Sequence, residues 1–222
     1  MKLCMFGVLH ASPICRNRYR SEITRLFRDS GQPSFLAVES GPRLYHDFFL
    51  PQRDEFHALA LNDPKFTRYG IPFVDALAEC IGFEADAHRD VYGSQEPLVL
   101  WLDEHRDPDD QGCAPSLGRN YYLWFKDYLS KQPCPTAEEA MHCIHSGLAA
   151  NGVPNGSPEH TYRRDAKWHE LICAKLQESS TSTYAIVIAG LAHSENNPLS
   201  ILSLLLKTIT CEVLDITSAL LI

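Results

Sequence analysis

Two apolar runs near opposite ends of this 222-residue chain stop in the same way: "MFGVLH" at residues 5–10 and "IVIAGLAH" at 186–193 both finish as G-x-x-H. Between them "SFLAVE" ends on Glu39. Two imidazoles and one carboxylate placed at strand ends can move protons as general acid and base, and they are also a common donor set for a divalent metal. His10, Glu39 and His193 are therefore the expected catalytic core and, if a metal such as Mn, Co or Zn is held, its expected ligands. Glycine three residues before each histidine lets the strand end turn tightly and the ring swing back over the edge of a sheet.

A cation belongs with them. In the segment "SPEHTYRRDAKWHELICAKLQ", read as a helix, Leu171, Trp168 and Ile172 fall within about 80° of Arg164 at about 100° per residue. A guanidinium on an apolar face needs a carboxylate or a bound anion, so Arg164 is expected to enter the site. His88 and Arg89, in "ADAHRDV", follow a weaker strand candidate, "FEADA", and add Arg89 to the catalytic candidates.

These residues share an edge only if the strands run parallel. The first forty residues read as strand ("KLCMFGVL"), helix ("RYRSEITRLFRDSG") and strand ("SFLAVE"), which is a βαβ unit and so a parallel pair. After residue 182 the order resumes with "TYAIVIAG", the helix "NPLSILSLLLK" and the strand "CEVLDIT". The expected architecture is one α/β domain over 1–222, an open and mainly parallel sheet with flanking helices. A helical insertion or cap at 93–180 interrupts it, with Thr136 and Ser157 as N-cap candidates. Its 116–178 portion is expected to roof the site. In such sheets ligands bind outside the carboxyl ends of the strands.

Other features are read as structural. The acidic run "DEHRDPDD" is expected to be a solvated loop because Pro108 and adjacent like charges favour one. His142 and His145, one helical turn apart in "HCIH", are expected on a solvated face. There is no G-x-S-x-G elbow, no phosphate-binding G-x-x-x-x-G-K-[ST], no H-E-x-x-H and no G-x-G-x-x-G, which removes support for serine-hydrolase, P-loop and dinucleotide readings.

Composition narrows the setting. A formal net charge of −8 argues against a nucleic-acid binder relying on a basic surface. The eight cysteines make no C-x-x-C pair and read as scattered thiols of a reducing compartment. No apolar run approaches the roughly eighteen residues of a membrane span. The short "LCMFGVL" after Lys2 is at the lower limit of a signal-peptide core, with polar, proline-containing sequence directly behind it. A cytoplasmic location is expected.

In order, "GVLH", "LAVE", "RRDAKWHELI" and "GLAH" resemble the superfamily that contains TraB, the Tiki metalloproteases, the haem-binding ChaN proteins and the erythromycin esterases, whose members carry two G-x-x-H motifs and a strand-end glutamate. The resemblance spans the chain. It implies a ChaN/Tiki-like fold, with the motifs falling on Gly7 and His10, Glu39, Arg164 with Asp165, and Gly190 and His193, and with Arg89 in the segment after the third strand. It also implies a hydrolase, metal-dependent or His/Glu-based, acting on an ester or peptide bond of a small-molecule or peptide substrate. The alternative it allows is a haem- or iron-binding protein without turnover. Trp168 and His169 depart from the helix motif, which usually has methionine and alanine there. "SENN" after His193 departs from the erythromycin esterases, which have a further histidine.

Overall fold

The computed structural model describes residues 2–93, 97–104, 116–151, 158–178, 184–194, 197–209 and 212–217. Strands β1 (Lys2–Val8), β2 (Leu36–Val38), β3 (Val99–Trp101), β4 (Tyr184–Gly190) and β5 (Glu212–Asp215) form one sheet in the order β3-β2-β4-β1-β5. Every pairing is parallel. The expected α/β fold with an open parallel sheet is the one observed.

The central strands explain themselves chemically. β1 and β4 read as unbroken apolar runs because helices cover both faces of the sheet, so neither side of either strand meets water. Alternate residues then serve different cores. Cys4, Phe6, Val8, Ile186 and Ile188 join a large cluster with α1 (Pro13–Ser30), α2 (Leu50–Leu61), α4 (Ile71–Ala78), α6 (Leu117–Lys131) and α7 (Ala137–Asn151). Leu3, Met5, Ala185, Val187 and Ala189 face the other way, onto Trp168 and Ile172 of α8 (Pro158–Glu178) and onto α9 (Ile201–Thr208).

Local signals set the helix starts. Ser12 caps α1 by accepting the Cys15 N–H, and Pro13 opens the helix, where its missing N–H costs nothing. Ahead of α7, Thr136 and Glu139 exchange side-chain and backbone hydrogen bonds as a capping box, as its sequence predicts. Ser157 lies outside the described residues.

Three expectations are corrected. "FEADA" is not a strand but a buried 3-10 turn at Phe83–Ala85. Gly82 enters it with φ +65°, and the amides of Ala85, Asp86 and Ala87 bond back to Gly82 and Phe83, leaving no ladder to offer. The third strand is β3, at residues 99–101, inside the stretch read as a helical insertion. Two short helices, α3 (Pro64–Thr67) and α5 (Arg89–Tyr92), also lie in the β2–β3 crossover. Third, the helices of 116–178 do not make one roof. α6 and α7 pack on one face of the sheet and α8 on the other, because their apolar residues belong to different cores. Among the described residues, no helix is long and apolar enough to cross a membrane.

Candidate functional site

The parallel register puts the ends of β1, β2 and β4 side by side. Val8 lies opposite Gly190, and the Glu39 N–H continues the β2–β4 ladder by donating to the Ile188 carbonyl at 3.0 Å. Glu39 therefore leaves the sheet between the two histidine-bearing ends. Its carboxylate gathers them: the Nε2 of His193 lies 3.3 Å from Oε1, and the Nε2 of His10 lies 3.8 Å from Oε2. Oε2 also accepts the backbone N–H of Gly190, and Oε1 accepts Nη2 of Arg164 at 2.9 Å.

The two glycines make this approach possible in a reciprocal way. A Cβ on Gly190 would stand 2.3 Å from the His10 Nε2, and one on Gly7 would stand 1.9 Å from the Ser194 Oγ. Each motif's glycine thus vacates the space that the other motif's end occupies. After His10 the chain reverses through Ala11, buried and held at φ +56°. That conformation costs a non-glycine residue about 1–2 kcal/mol and brings the chain straight into the Ser12 cap.

Carboxylates anchor both imidazoles from behind. His10 Nδ1 bonds Glu84 Oε1 at 2.9 Å, and His193 Nδ1 bonds Asp165, whose other oxygen accepts the Ile201 N–H at 3.0 Å. Arg164 is clamped in turn by Asp103, with Nε and Nη2 at 3.4 and 2.5 Å, and Trp168 Nε1 donates to the same carboxylate at 3.1 Å. The indole contacts both the Arg164 guanidinium, 4.5 Å from its ring centre, and the His193 ring, 4.6 Å away. The tryptophan that departs from the resembling helix motif thus packs the site together.

Electrostatics follow from these neighbours. Burial pulls the His10 pKa down, but the charge and hydrogen bond of Glu84, then Glu39, outweigh it and push it up to about 9. Burial likewise opposes His193, while Glu39 and Asp165 push it up to about 9. Burial alone would raise Glu39; the charges of His193 and Arg164 win and hold its carboxyl well below the usual range. At neutral pH the Glu39 carboxylate faces two imidazoliums and a guanidinium.

His10, Glu39, Arg164 and His193 therefore converge as the sequence predicts. Arg89 is exposed at the start of α5, with its guanidinium over the Tyr45 ring at 5.7 Å. His88 is fully buried. Asp103, first acid of the run read as a solvated loop, is buried on Arg164 because it comes two residues after the last residue of β3 and so shares the strand edge; residues 105–110 of that run lie outside the described residues. His145, read as solvent-facing, turns inward and bonds the Ser12 Oγ at 2.8 Å. Glu84 had no signal beyond the glycine two residues before it.

As a metal centre the arrangement fits poorly. Both Glu39 oxygens are engaged, by a guanidinium and by a backbone amide, and among the described residues no group of three or more His, Cys, Asp or Glu is placed to hold an ion. No protein-family model matches the chain, and no characterised protein or solved structure is significantly similar to it.

Proposed function

We propose that this protein is a hydrolase of the superfamily its motifs resemble, cleaving an ester or peptide bond with Glu39 as the base and His10 as the acid. The observation that carries the reading is the single carboxylate shared by His10, His193 and Arg164 at the carboxyl edge of the sheet. His10, raised to about 9, is protonated at neutral pH and is suited to giving a proton rather than taking one. This reverses the simplest expectation for a metal-free site, in which the histidine is the base.

In this scheme water attacks the carbonyl carbon while Glu39 takes its proton. The oxyanion that forms is met by Arg164, whose Nε and Nη2 are committed to Asp103 and Glu39 and whose Nη1 has no partner among the described residues. His10 Nε2–H protonates the leaving oxygen or nitrogen as the C–O or C–N bond breaks. The proton on Glu39 then passes to His10, 3.8 Å away, through one water. His193, with a side chain only 5% exposed, holds positive charge beside Glu39 and is given no proton-transfer step.

The test is a panel of p-nitrophenyl esters and fluorogenic peptides, run beside elemental analysis and an absorption spectrum of the purified protein. Turnover of at least one substrate that survives chelation and disappears in Glu39→Gln is expected. No turnover together with a Soret band would replace this reading with haem binding. Stoichiometric Mn, Co or Zn, with activity lost on chelation, would replace the metal-free scheme.

A further inference from the structure

Glu84 sits where stability alone does not ask for a carboxylate. Its side chain is 2% exposed. One oxygen has a single side-chain partner, the His10 Nδ1 at 2.9 Å, and Oε2 is buried with no hydrogen-bond partner among the described residues. The Tyr19 hydroxyl, on a ring that packs against Phe83, is likewise buried without one. Buried charges kept for stability have their lone pairs satisfied, since each unmet one loses its water for nothing.

The backbone is nevertheless built to put Glu84 there. Gly82 adopts φ +65°, and a Cβ on it would run into the Phe49 ring at 2.6 Å, so only glycine opens this turn. Phe83 and Ala85 on either side are buried, and Phe83 packs into the large core. An under-satisfied acid on a rigid turn, aimed at the more exposed of the two site histidines, is the geometry of a group that acts through its neighbour.

We infer that Glu84 is the positioning residue for His10: by accepting Nδ1–H it fixes the ring so that Nε2–H faces Glu39 and the substrate. The inference rests on the hydrolase reading for its catalytic consequence, but not for the link itself. Without Glu84 the imidazole can turn over or hold its one proton on the wrong nitrogen, and the leaving group then meets a lone pair.

Two measurements decide it. In the wild-type protein, nitrogen-edited NMR should show a slowly exchanging, far-downfield proton on His10 Nδ1, absent in His10→Ala; a wild-type spectrum without it overturns the inference and needs no variant to fold. Glu84→Leu should abolish that resonance, and Glu84→Gln, which keeps an acceptor oxygen but no charge, should retain it at a smaller shift. On a substrate from the panel, kcat should fall in the order wild type, Glu84→Gln, Glu84→Leu, at least tenfold overall, with KM within about twofold. Melting temperatures should hold or rise, because an under-satisfied buried charge has gone. An unchanged resonance in Glu84→Leu, or a loss that tracks lowered melting temperature and is equal in both variants, overturns it. A wild-type chain with the resonance and no turnover on any substrate would sink the hydrolysis and leave the Glu84–His10 link standing.

Discussion

The two G-x-x-H ends carry the same motif into different surroundings. At the β1 end, the His10 side chain is a quarter exposed, and its anchor Glu84 comes from a turn between helices with one oxygen unmet. At the β4 end, the His193 side chain is 5% exposed, its anchor Asp165 comes from a long helix and also ties down the Ile201 amide, and Trp168 stacks on the ring. The motif delivers an imidazole to the sheet edge, and the neighbours decide its work. One end is packed and tied down, and the other is left open to solvent.

Removing each ring should separate them most sharply. His193→Ala leaves Asp165 fully buried and short of its charged partner, and it also unstacks Trp168; a loss of about 3–5 kcal/mol is expected. His10→Ala should cost less, about 1–3 kcal/mol, and more than its exposure suggests, because it strips Glu84 of its partner. Combining His10→Ala with Glu84→Leu should then be no worse than His10→Ala alone. Urea denaturation of the set measures all three, and equal losses at the two ends would erase the distinction.

The glycines sharpen the comparison from the other side. In Gly190→Ala the new methyl meets His10, which can swing outward, so activity should fall by about 100-fold with little change in stability. In Gly7→Ala it meets Ser194 and Thr217, both buried, and Thr217 Oγ1 already accepts the Gly7 N–H at 2.8 Å. There the cost should fall on the fold, about 1–3 kcal/mol. Parallel melts and rates on both variants would show whether the two clashes are relieved as differently as their neighbours imply.

A change of pH acts on both ends at once. Both imidazoles are raised to about 9 in the folded chain, against about 6.5 when unfolded. Their contribution is complete below about pH 6.5 and is lost as pH climbs through about 9. Urea midpoints should therefore fall between pH 6.5 and 9, and the fall should be shallower in His193→Ala. Midpoints that rise over this window would mean that the rings are neutral in the fold.

How much of this could be read beforehand depended on how long each signal runs. β1 and β4, each seven residues long and buried on both faces, announce themselves as apolar runs, and with them come His10 and His193. β3 is three half-buried residues at a sheet edge and carries no period to recognise. Phe83 and Ala85 alternate with acids as a strand would, yet their amides close on themselves, and nothing in the residue types separates those outcomes. Arg164 was legible because a cation on an apolar helical face demands a partner. Glu84 and Asp103 were not, since an acid among other acids in a turn looks the same whether it faces water or a buried base.

β1 lies between β4 and β5, both made far later than itself. As the chain is synthesised, Glu39 emerges roughly 8–30 s before Gly190 at about 5–20 residues per second. For that interval both edges of an apolar strand await partners not yet translated, which is the state most open to aggregation. The chemistry is deferred with them, because the Gly190 amide, the Arg164 guanidinium and the His193 ring all arrive with the later chain. A nascent chain halted before β4 lacks the cluster around Glu39, and a nonsense change anywhere upstream of residue 184 removes the centre of the sheet and the site together.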